Sequence, residues 1–135
     1  MRSFLECKLQ NKKWKMQNER ENLSDRLLNF AASIVRLTLL LSKTVAGRHI
    51  AGQILRSSTS CGANYEEACG AESRADFIHK MQIVLKELRE TLYWLKLSAK
   101  SFPDLAEYLQ ADLKEADELI RIFSKSVITA KTPIR

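Results

Sequence analysis

The side chains best able to hold a metal or attack an electrophile are Cys7, Cys61, Cys69, His49 and His79. Their spacing organises neither chemistry. No C-x-x-C or H-E-x-x-H pair occurs, and those are the spacings that bring two ligands to one zinc ion. Cys61 and Cys69 stand about 80° apart on a helix, too far round to clasp one ion. The Glu-x-x-His pairs of di-iron bundles are missing as well. A nucleophile built from Cys61 and a histidine lacks a third group to orient it. The run Gly47-Arg48-His49-Ile50-Ala51-Gly52 has neither the Walker lysine nor Rossmann spacing. The sequence therefore predicts no catalytic residue, no metal and no cofactor.

Basic residues offer more. The chain carries a formal charge of +6, unevenly spread. Residues 1–60 hold eleven Lys/Arg against four Asp/Glu, whereas residues 61–135 hold eleven against twelve. No acid falls between Arg26 and Tyr65, where Arg36, Lys43, Arg48 and Arg56 lie. Such a surface suits phosphate, and the candidate contacts are Lys43, Arg48, His49 and Arg56. Two alternatives stand beside this: a merely solvated surface, or, for Arg56, pairing with an acid on a neighbouring helix or subunit. No helix-turn-helix, RRM or KH motif points to sequence-specific readout.

The elements that must position these residues are helices. At 135 residues the chain suits one domain with a core of its own. Four Gly and two Pro disfavour turn-rich all-β folds, and no apolar run is long enough for a membrane span. Residues 1–20 show no apolar stripe and read as a basic, unstructured arm, with Met16 an alternative start. An odd cysteine count and no secretory apolar region after Met1 predict reduced thiols in a cytoplasm.

The bundle domain is read over 21–131, with a tail over 132–135. A first helix starts at Ser24 as N-cap and runs to about Ser42, with an apolar arc wider than one core face requires. A second runs from about Gly47 to Ala71, with Ile50, Ile54, Cys61, Tyr65 and Ala68 on one face. It continues through the poor helix formers Ser57–Gly62 because the apolar phase is kept across them. Its small residues Gly52, Ser58, Thr59, Gly62 and Ala63 would let another backbone approach. A third, capped by Ser73, runs to about Lys100 with a stripe from Phe77 to Leu95. Ile83, Trp94 and Leu97 lie on its other side and are read as an exposed oligomer interface. A fourth opens at Ser101-Phe102-Pro103, with Leu105, Leu109, Leu113, Ala116, Ile120, Phe123 and Val127 inside and acids opposite. Four such helices joined by short connections predict an all-α, up-down-up-down four-helix bundle.

Two strings carry a family resemblance. They are Gly47-Arg48-His49-Ile50-Ala51 continuing through Gln53–Ala68, and Ala71–Lys80 followed by Leu85–Thr91 and Tyr93-Trp94-Leu95. Over about residues 24–130 the chain resembles the bacterial four-helix bundle proteins of the 23S rRNA intervening-sequence type. The resemblance implies a bundle monomer assembling into a ring-like homopentamer, without enzymatic activity, associated with RNA or another nucleic acid. A related branch, the accessory proteins of diversity-generating retroelements, implies a reverse transcriptase as the alternative, protein partner. Cys61 and Cys69 fall where family members often carry small or apolar residues. Arg56, Asn64, Glu67, Glu72, Ser73 and Lys80 belong to the shared motifs and have two readings: polar ties that set helix register or subunit contacts, or ligand contacts.

Overall fold

The structure, a computed structural model, describes residues 22–133; the predicted arm over 1–20 and Cys7 lie outside them. Four helices follow in chain order: α1 (Leu23–Leu41), α2 (Val45–Cys69), α3 (Arg74–Ser101) and α4 (Gln110–Lys131). One short 3₁₀ turn, Pro103–Leu105, precedes α4. Among the described residues there is no strand. Each helix packs on its successor, and α4 also meets α1. No helix is long and apolar enough to cross a membrane among the described residues.

Caps explain where the helices begin. The first helix is capped two residues before the expected Ser24, because Asn22 Oδ1 accepts the Asp25 N–H at 2.9 Å. Asn caps as well as Ser, and the earlier start buries Leu23 in the core. α2 starts at Val45 rather than Gly47, with Thr44 Oγ1 accepting the Gly47 N–H at 2.9 Å. Gly47 is held by a close approach: a Cβ there would lie 1.7 Å from the Leu41 carbonyl oxygen. Ser73 caps α3 as expected, accepting the Asp76 N–H at 3.0 Å. α4 starts later than predicted. Pro103 keeps Phe102 out of the helical region (φ −126°, ψ 77°), and the chain makes a 3₁₀ turn first. Leu109 enters the core just ahead of α4. At the other end of α4, the Arg74 guanidinium donates to the carbonyls of Ala130 (2.7 Å) and Thr132 (3.1 Å), which offsets exposed helix-end carbonyls.

The core follows the sequence periodicity on α2 and α3. Ile50, Ile54, Cys61, Tyr65 and Ala68 are buried, and α2 is unbroken through Ser57–Gly62. Phe77, Met81, Val84, Leu88 and Leu95 are buried from α3. Tyr65 meets Phe123 of α4 edge to face at 5.5 Å, the preferred geometry for aromatic rings. Three corrections concern faces. Gly52, Thr59 and Ala63 face outward, and a Cβ at Gly52 would meet nothing within 4 Å; no backbone of the same chain approaches there. On α4, Leu119 and Ala130 are buried, while Leu113 and Ile120 are half-buried. Asp112 is also inside rather than opposite, accepting the Ser33 hydroxyl at 2.6 Å across the α1–α4 seam. Burial raises its carboxyl above the ordinary 3.8. Finally, Ile83, Trp94 and Leu97 are half-buried, and Trp94 and Leu97 pack against the bundle's own core. They lie along the α2 side of α3, where Trp94 has partners described below.

Candidate nucleic-acid interface

The four residues predicted to meet phosphate come from the α1–α2 connection and the first half of α2. Lys43 lies in the turn that ends at the Thr44 cap, and it is exposed. It lines an open, mainly apolar cleft of about 410 Å³ with Leu40, Leu41, Phe102, Asp104 and Leu105. Arg48, one turn into α2, is exposed, and its Nη1 lies 3.5 Å from the Ser42 carbonyl. His49 is exposed but set edge-on to the Trp94 ring, centroids 6.1 Å apart.

Arg56 departs from the set. It points to α3, where Nη1 donates to Glu87 Oε2 at 3.4 Å and Nη2 pairs with Glu90. The Trp94 indole N–H also donates to Glu90, at 3.4 Å. Glu87 is buried, so the guanidinium supplies the partner that a buried carboxylate requires. The sequence left Arg56 open between phosphate and a neighbouring acid; its geometry is that of the acid pair.

The same seam takes up Glu67 and Lys80 of the shared motifs, together with Ser57 and Thr91. Thr91 Oγ1 donates to Ser57 Oγ at 2.8 Å, both fully buried. The Lys80 ammonium donates to Glu67 at 2.8 Å, and that bond raises its pKa. Asn64 Nδ2 donates to the Ser60 carbonyl within α2 at 2.9 Å. Read along the helices, Glu67–Lys80, Ser57–Thr91, Arg56–Glu87/Glu90 and His49–Trp94 clasp α2 to α3 from one end to the other. For Arg56, Glu67 and Lys80 this is the register-tie arrangement. Glu87, Thr91 and Asp112 are polar core members that the apolar stripes did not mark. The available signal was their position inside otherwise apolar faces.

The chemistry-bearing side chains do not converge. The Cys61 thiol is buried, directed to the Ser57 carbonyl at 3.2 Å, and pushed up to about 12, first by burial and then by nearby Glu87. At that value no thiolate nucleophile forms near neutral pH. Cys61 is the free cysteine among the described residues. Cys69 is buried at the C-terminal end of α2. No group of three His, Cys, Asp or Glu residues able to hold a metal occurs among the described residues.

Comparisons with known proteins agree with this architecture. A family model described as 23S rRNA-intervening sequence protein matches residues 19–125. A crystal structure from Bacteroides thetaiotaomicron, of a protein with unknown function from the S23 ribosomal protein family, is 38% identical. The match covers 77% of this chain and 93% of that one, with a TM-score of 0.69. No curated protein matches the chain.

Proposed function

Because the chain belongs to the 23S rRNA-intervening sequence protein family, we propose that it is a non-enzymatic, self-associating helical bundle that binds RNA or other nucleic acid as a scaffold. The observation carrying this reading is the run of exposed basic residues on the later part of α1 and the start of α2, a stretch of chain that contains no acid after Asp25. Arg36, Lys43 and Arg48 are exposed there, and none forms an ion pair among the described residues. Exposed cations without an acid partner attract phosphate and release its counterions. His49 remains exposed beside them, whereas Arg56 is engaged by Glu87 and Glu90. Several copies in one assembly would multiply such weak contacts by avidity.

Self-association rests on a different face. Leu28 (66% exposed), Val35 (46%) and Leu39 (74%) form a stripe along α1, continued by Ala32. This is the excess apolar width that the sequence showed on the first helix. It favours an interface on α1 over one built on Trp94 and Leu97. A homopentameric ring of up-down-up-down bundles is the arrangement we favour, since the heterologous contacts of a ring let one stripe meet a different surface next door. A protein partner such as a reverse transcriptase is the second reading, favoured by the same stripe.

Salt-titrated binding of purified protein to labelled structured RNA and to duplex DNA tests the first reading. Binding with a steep negative salt slope is expected. Its absence near physiological salt refutes the reading. Light scattering tests assembly: a pentameric mass is expected, lowered by Leu39→Lys, and a monomeric wild type refutes it.

A further inference from the structure

The outward face of α3 has no part in the clasp with α2 or in the core. Its exposed side chains from Lys86 on are Lys86, Arg89, Tyr93, Lys96 and Lys100, with His79 ahead of them and Ser101 at the helix end. At about 100° per residue they fall within an arc of roughly 100°, a single stripe down the helix. No carboxylate of α3 belongs to this exposed set: Glu87 is buried, Glu90 is half-buried and paired with Arg56, and Asp76 is half-buried in the first turn. Lys86, Arg89, Lys96 and Lys100 make no ion pair among the described residues. From Lys86 to Lys100 the stripe spans about 21 Å at ~1.5 Å per residue.

One aromatic ring interrupts the cations. Tyr93 is 58% exposed. Its ring lies 5.0 Å from that of Trp94, at 78°, and Trp94 is itself held by His49 and Glu90. Tyr93 is thus a large, exposed ring braced from one side, with cations one turn before it and one turn after it. Cations tracking a backbone around an exposed ring are what unpaired nucleic acid requires, because every base offers a face to stack. Duplex nucleic acid keeps its bases stacked inside and has no use for the ring. An anionic membrane would use the charges but gain no stacking.

We propose that the α3 stripe Lys86–Arg89–Tyr93–Lys96–Lys100 binds a single-stranded nucleic-acid segment, with the four cations on phosphates and Tyr93 under one base. This rests on the nucleic-acid reading above and gives it a surface distinct from Lys43 and Arg48.

The test uses the full chain, a labelled uridine dodecamer RNA, the matching DNA oligomer and a duplex RNA. Wild type should prefer the single strands. Tyr93→Ala should weaken single-strand binding about tenfold and leave duplex binding unchanged, with Tyr93→Phe restoring it. The triple variant Lys86→Gln, Arg89→Gln, Lys96→Gln should flatten the log–log salt slope by about 2, at ~0.7 per phosphate contact. These residues are exposed, and unchanged circular dichroism verifies that each variant folds. If wild type binds but the triple variant binds equally well while Lys43→Gln, Arg48→Gln loses binding, the α3 assignment is overturned and the functional reading survives. If wild type binds none of the probes, both fail. Binding to phosphatidylglycerol vesicles that is stronger than to RNA, and indifferent to Tyr93→Ala, also overturns the proposal.

Discussion

Two glycines on one helix should respond to alanine with opposite signs. Gly47 and Gly52 both lie in α2, and helix propensity alone makes each alanine favourable by about 0.5–1 kcal/mol. At Gly52 nothing lies within 4 Å of the added Cβ, so the full gain is expected. At Gly47 the same atom would sit 1.7 Å from the Leu41 carbonyl oxygen and 2.9 Å from the capping Thr44 Oγ1. The first contact is backbone and cannot rotate away. To reach even a tight contact, the end of α1 and the first turn of α2 must part by roughly 1.3 Å, a strain in the class of overpacking that costs about 1–3 kcal/mol. Parting them also loosens the Thr44 cap. For a domain of this size, ~4 °C per kcal/mol converts the cost, after the propensity gain is subtracted, to a Tm lowered by about 5 °C at mid-range and at most about 10 °C, while Gly52→Ala should raise Tm by about 2–4 °C. Thermal melts followed by far-ultraviolet circular dichroism, with urea titrations at constant slope, separate the two. A Gly47→Ala protein as stable as wild type would refute the close approach of α2 to Leu41.

Other outcomes follow from the same geometry. Arg56→Ala should destabilise by about 1–3 kcal/mol because it leaves buried Glu87 without its cation, and Glu87→Gln in the same chain should recover part of the loss; a double-mutant cycle in urea reads the coupling. Asp112 has a raised pKa from burial, so its uncharged form suits the fold and stability is lost as pH rises through the folded value. Asp112→Asn, which keeps an acceptor for Ser33, should therefore be more stable than wild type at pH 7, and the difference should vanish in urea titrations carried below about pH 4. The Cys61 thiol, buried and pushed up to about 12, should resist iodoacetamide in the native protein and react on unfolding; fast native labelling by mass spectrometry would contradict its burial. Phe123→Ala should cost about 3–5 kcal/mol, combining a cavity with loss of the Tyr65 edge contact, measured by chemical denaturation.

Much was legible in the sequence because it is local information. Apolar residues at helical spacing marked α2 and α3 and carried α2 through the serine-rich run Ser57–Gly62, since periodicity survives a weak helix former. Ser73 could be read as a cap because a cap hydroxyl acts only three residues away. The excess apolar width of the first helix was legible too, whereas the structure identifies Leu28, Val35 and Leu39 as the part left exposed. The motif residues and the family they resemble were legible as well, since identity in order needs no coordinates.

Tertiary structure decided whatever depends on the rotation and register of one helix against another. Arg56 stood open between phosphate and a neighbouring acid until α3 put Glu87 and Glu90 beside it. Asp112 sat among apparent surface acids until α4 turned it toward Ser33. Periodicity places Trp94 on the side of α3 opposite its apolar stripe, and His49 and Glu90 of the clasp half-cover it there. The basic stripe of α3 was hidden from counting by halves, because residues 61–135 hold eleven Lys/Arg against twelve Asp/Glu and α3 intersperses its cations with Asp76, Glu87 and Glu90. A sequence orders charges along the chain, but phosphate and acid partners meet them as surfaces. The angle at which each helix is laid against its neighbours decides which charges share a surface.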